Sequence, residues 1–264
     1  MTPMTMTTVE DSGLPVMLDT KDIAQIFKRC NLAVYAEARR RFYREINLNP
    51  FKHQSESVLR FLEWMFWDWF AYDCAVSGEL SGDEAEDMCI TLESDVGCGI
   101  SPFLAISEFL YETDPRIGER EIHDLRDVDE TNFASMFWIH DSNAAKGTMK
   151  LEDVVHGGYY ELRGGEVAAQ YDGAHGGLIV NRVAHVRGHW QFCAIPVYEA
   201  HRPDAPEVGE AIAKSFRDTG YRPDFPGLVR FFYGRAKDTG MDLEDFQRAR
   251  ENGTLQAIMD GLRN

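Results

Sequence analysis

The residues best suited to chemistry in this chain are acids and histidines set among aromatics. Residues 61–73 read FLEWMFWDWFAYD, which places Asp68 and Asp73 among three tryptophans, three phenylalanines and a tyrosine. A carboxylate in such company must be paired or hydrogen-bonded, or its pKa must rise. Asp68 therefore has two readings. It is a structural acid held by a nearby arginine or backbone amide, or it is a general acid or base. His140 and Asp141 stand together in FWIHDSN and are the other catalytic candidates. Neighbours on a strand point to opposite faces, so these two form no direct dyad. No G-x-S-x-G elbow accompanies them, and no cysteine has an evident histidine partner.

Metal and phosphate chemistry find little support. There are eight histidines, none in an HxxxH or HExxH pattern on a helix. His175, His185 and His189 are the nearest to a cluster, with Glu166 and Asp172 close by in sequence. A metal needs three or four converging ligands, so neither metal nor cofactor is expected. The paired glycines of HGGYYELRGG precede strands and lack the G-x-x-x-x-G-K pattern, so they read as turn formers. Trp64, Trp67, Tyr159, Tyr160 and Trp190 are candidate binding residues. Aromatics on a sheet can also stack bases. The net charge of −17 opposes that use, because phosphate needs a basic field.

Five widely spaced cysteines without a CxxC pair read as free thiols of a cytoplasmic protein. The N-terminal residues lack the basic and apolar regions of a secretory signal, and no run of eighteen apolar residues suggests a membrane span.

The elements that must position these residues follow from periodicity. Ile23, Phe27, Cys30, Val34, Ala38, Phe42 and Ile46 predict one long amphipathic helix. Its Arg39, Arg40, Arg41 and Arg44 form a basic flank, the expected source of a partner for Asp68. The aromatic stretch belongs to a second helix from about residue 54 to 73. It is apolar nearly all round, as a central core helix should be. Ser81 and Glu84 form a capping box, and Ser101-Pro102 starts another helix. The period then changes to strands: NFASMFWIHD, MKLEDVV, GYYELRG, EVAAQYD, GLIVNRVAHVR and HWQFCAIPVYE, separated by glycine-rich turns. In the fifth strand both faces are mixed, so neither stands out as the buried one. Helical patterns return after residue 201. The chain is thus expected to be α+β. Residues 1–18 are frayed, 19–126 helical, 127–200 an antiparallel β-meander or partly open small barrel, and 201–264 helical again, all in one compact unit.

FLEWMFWDWFAYD resembles the F-x-E-W-x-x-x-D-aromatic helix of a family of uncharacterised prokaryotic proteins. LEDVVHGGYYEL and GGLIVNRVAHVRGHW resemble the family's L-x-D-x-x-x-G-x-Y-x-V stretch and its G-x-L-x-x-R-x-x-x-x-x-G hairpin. The resemblance spans about residues 55–195 and implies a shared fold rather than an activity. Some relatives carry a Cys-rich SEC-C zinc motif, but this chain has no such cluster, so no zinc is implied.

Together these readings point to a non-catalytic cytoplasmic binding or regulatory module. Its groove would lie between the aromatic helix and the β-meander, and its partner would be a protein or a small molecule. A small-molecule enzyme using Asp68, His140 or Asp141 is the alternative, and a nucleic-acid-associated protein the third. Oligomeric state is left open.

Overall fold

In a computed structural model of the chain, residues 15, 17–48, 54–77, 91–92, 99–201 and 205–238 are described. The long first helix is two: α1 (Thr20–Cys30) and α2 (Leu32–Glu45). Asn31 separates them. Its backbone N–H still closes α1 on Phe27 O, while its side chain accepts from Val34 N and caps α2. The apolar repeat runs through the break. Ile23, Phe27, Val34, Ala38, Phe42 and Ile46 are all buried.

α3 (Glu56–Asp73) is the central helix that its composition demanded. Val58, Phe61, Leu62, Met65, Phe66, Trp69, Phe70, Ala71 and Tyr72 are buried along it. α1 and α2 pack on it through aromatic edges, Phe27 on Phe70 at 5.2 Å and Tyr35 on Phe66 at 5.3 Å. A short pair, β1 (Val76–Ser77) and β2 (Thr91–Leu92), follows. The Ser81 capping box lies outside the described residues. α4 (Pro102–Thr113) starts as expected, with Ser101 Oγ accepting from Leu104 N. α5 (Glu119–Thr131) escapes a periodicity reading. It is highly charged and buries only Ile122, Asp124, Leu125 and Val128.

The sheet contains β3 (Phe133–Asn143), β4 (Thr148–Asp153), β5 (Tyr159–Arg163), β6 (Gly177–Val186), β7 (His189–Phe192) and β8 (Tyr198–His201). Five strands close a small barrel in the order β3-β4-β5-β7-β6 and back to β3, with β8 added beside β6. The expected meander is corrected at three places. EVAAQYD is not a strand. Gly165–Gln170 forms α6, which buries Ala168 and is followed by buried Tyr171. Val167, Ala168 and Tyr171 lie one and four residues apart, a helical spacing that an alternating pattern mimics over so short a span. LRGGEV is therefore a strand-to-helix turn rather than a hairpin. HWQFCAIPVYE splits into β7 and β8. The barrel closes through a parallel contact, Leu162 with Trp190, where an antiparallel meander has none. The VRG hairpin is as expected. Arg187 (φ 51°) and Gly188 (φ 79°) make a two-residue turn of the type that twists with its strands.

Both faces of β6 are buried. Ile179 and Val183 fill the barrel, while Leu178, Val180, Ala184 and Val186 belong to the helical core. β3 divides likewise, with Phe137 and Ile139 inside the barrel and Met136 and Trp138 outside it. These two strands are the wall shared by two cores. α7 (Pro206–Asp218) and α8 (Phe225–Asp238) complete the outer one, with Gly209 of α7 set against the Trp138 ring. Among the described residues no helix is long and apolar enough to cross a membrane.

Candidate functional site

Three polar groupings stand out. The first is at the junction of α3 and β6. Arg182 leaves β6 on the side away from the barrel and is only 1% exposed. Its Nη1 donates to Asp73 Oδ1 at 3.2 Å and to Asn132 Oδ1 at 2.7 Å, its Nη2 to Asp73 Oδ2, and its Nε to Asp68 Oδ2 at 3.4 Å. Tyr72 and Phe225 lie over the guanidinium, with ring centroids at 4.8 and 5.1 Å. Burial pushes the Asp68 carboxyl up to about 6; Arg182 pulls it down and Asp73 pushes it up. Burial also works against the charge of Arg182, but the two carboxylates outweigh it and hold the guanidinium above its ordinary value. Burial raises the thiols of Cys74 and Cys193, which makes them poor nucleophiles.

The partner of Asp68 is thus not an arginine of the first helix. Those arginines meet glutamates instead: Arg39 pairs with Glu63, Arg40 with Glu37 and Arg41 with Glu45. Glu63 faces α2, but Asp68 lies five residues further on, about 140° round the helix, and faces the sheet.

The second grouping holds the residue types of a hydrolytic triad. Ser135 Oγ donates to Asp153 Oδ1 at 2.6 Å. His156 Nδ1 lies 3.2 Å from Ser135 Oγ and 3.1 Å from Asp153 Oδ2, and His156 Nε2 donates to Pro223 O at 3.1 Å. A triad needs its serine and acid on opposite ring nitrogens. Here both meet Nδ1, and Ser135 is fully buried. Asp153 also accepts from Val155 N and His156 N, so the cluster braces the β4–β5 turn.

The third grouping lies on the outside of the barrel. A bulge in β3 between Ile139 and Asp141 frees His140 from the ladder. Its Nε2 donates to Glu152 Oε2 at 2.7 Å, and its ring lies 5.6 Å from Tyr159. Tyr159 is 75% exposed. Asp141 instead faces His175 Nδ1, at 3.9 Å.

The sequence candidates are therefore dispersed. Asp68 is buried at the α3 junction, and His140 and Asp141 are outside with different partners. Trp64 is exposed, and Trp67 packs on the helical core with Lys21 over its ring. Tyr160 and Trp190 cross at 5.0 Å inside the barrel, and Phe133 packs against both. Arg182, Tyr72 and Phe225 occupy the interval between α3 and β6. His185 packs on Trp190 and His189 accepts from Arg163, both away from His175. Among the described residues no group of three His, Cys, Asp or Glu is placed to hold a metal ion.

Sequence reasoning missed Arg182, Asn132, Ser135, Asp153, His156 and Glu152. Arg182 had a signal, since it is the one charged residue of GLIVNRVAHV, a strand otherwise almost wholly apolar. No protein-family model, curated protein or solved structure matches this chain.

Proposed function

We propose that the protein is a non-catalytic cytoplasmic binding module that contacts a protein partner through the outer face of β4 and β5, centred on Tyr159. The observation that carries this is the ring of Tyr159, three-quarters exposed on a paired strand beside the His140–Glu152 pair. A large aromatic kept in water on a rigid strand is a usual anchor of interfaces. Arg39, Arg40 and Arg41 are each engaged with a glutamate, which weighs against a nucleic-acid partner. Buried reduced thiols at Cys74 and Cys193 agree with a cytoplasmic setting. The likeness to the aromatic-helix family is part of the same proposal. It is supported by the meeting of Asp68, from the helix stretch, with Arg182, from the hairpin stretch.

The test is a photo-reactive benzoylphenylalanine at position 159, and separately at exposed Lys214 on α7, in cells making the protein. A discrete adduct at 159, absent at 214 and lost on His140→Ala, is the expected result. Equal labelling at both positions, or none at 159, rejects the surface. A second reading rests on the bulge, because bulges re-aim side chains beside active sites. In it the Glu152-oriented His140 is the base of a small-molecule enzyme. That reading gains ground if position 159 captures nothing.

A further inference from the structure

The fork of Arg182 closes on Asp73 rather than on Asp68. Nη1 and Nη2 reach separate oxygens of Asp73, and Nη1 also reaches Asn132. Asp68 receives only the Nε hydrogen, and its Oδ1 is buried without a partner. One guanidinium therefore faces two carboxylates, and its charge is matched by the one that takes both arms. A second ionised carboxylate would leave a negative charge uncompensated among Tyr72, Phe225 and the core, which is strongly unfavourable.

We propose that Asp68 is a proton-binding site inside the folded protein, and that loss of this proton weakens the attachment of α3 to β6. The proton belongs on Oδ1, the oxygen that accepts nothing. The groups around the site are Tyr72 and Asp73 from α3, Arg182 from β6, Asn132 between α5 and β3, Cys193 after β7 and Phe225 from α8; Asp129 of α5 acts on Tyr72. Arg182 is the single cation among them. Burial sets the direction and raises the carboxyl to about 6. A folded pKa above the unfolded value, about 3.9, contributes stability that is complete below the unfolded value. That stability is lost as pH rises through the folded one. Burial raises Asp129 as well, so its effect runs the same way and must be separated.

The test is carboxyl-13C NMR of the full chain labelled at aspartate, titrated alone and with Asp68→Asn, Asp73→Asn and Asp129→Asn. The resonance missing from Asp68→Asn should titrate with a midpoint of about 6 in the wild type. In Asp73→Asn its midpoint should fall, because Arg182 is left to Asp68 alone. The denaturation midpoint of the wild type should decline relative to Asp68→Asn from about pH 4 to about pH 7. If Asp68→Asn does not fold, the downward shift in Asp73→Asn identifies the resonance instead. A spectrum in which every aspartate but Asp129 is ionised by about pH 5 overturns the proposal, as does a midpoint indifferent to Asp73→Asn.

Discussion

Three side chains converge on Glu63. Tyr35 Oη donates at 3.1 Å, Tyr43 Oη at 2.9 Å, and Arg39 through both Nε and Nη2. Burial pushes the Glu63 carboxyl up, but these donors outweigh it and hold it below the ordinary range. A depressed carboxyl contributes stability above its unfolded pKa of about 4.3, and that contribution disappears as pH falls through the folded value. Glu63→Gln should therefore cost about 1.5–3 kcal/mol at neutral pH, the range for hydrogen bonds to a charged group. Its deficit against the wild type should vanish in strong acid. Urea denaturation at the two pH values reads this directly, and a deficit unchanged by acid would assign the role of Glu63 to packing. At this scale the sequence was half legible. The aromatic setting of Asp68 required a partner, but not the partner found, which lies 114 residues away. The nearer arginines were claimed by glutamates closer to them, two on their own helix at three- and four-residue spacings.

At the scale of elements, the long repeats were readable because many residues vote for them. α3 matched its aromatic pattern, α4 its Ser101-Pro102 start, and α7 falls within the expected helical tail. Short or one-sided elements were not. α6 has six residues, and α5 hides a narrow apolar stripe among acids. The contact of α7 with the sheet adds a constraint that no periodicity carries. A Cβ at Gly209 would sit 2.8 Å from Trp138 Cε3, and that ring is buried. Alanine is the better helix former by about 1 kcal/mol, but overpacking a rigid contact costs about 1–3 kcal/mol. Gly209→Ala should thus lower stability, with a shift in the Trp138 near-ultraviolet signal. A stabilised variant would mean that α7 rides loosely on β3.

For the whole molecule, the consequential fact is that β3 and β6 wall both cores. Neither core can lose its packing without exposing the strands of the other, so the described helices and barrel should unfold together. The five tryptophans make this measurable. Trp64, Trp67 and Trp69 report on α3, Trp138 on the shared wall and Trp190 on the barrel. In fluorotryptophan-labelled protein all five resonances should lose native intensity at one denaturant concentration. An early loss confined to Trp190 would show a barrel that melts alone. The α+β class, the helical flanks and the small barrel were legible from element order. The doubling of the core was not, because a strand buried on both faces shows no alternation.

β6 would be easy to thread wrongly. With apolar residues on both sides, a slip of one position would exchange the contents of the two cores at little hydrophobic loss. Asn181 and Arg182 remove that ambiguity. Shifted by one, the guanidinium would enter the barrel against Phe137, Leu151 and Leu162 of the other strands, away from both aspartates, and the amide would turn to the side that the guanidinium left. The buried charge thus works as a key that fits the strand in one alignment, and its cost is offset by the mispairings it forbids.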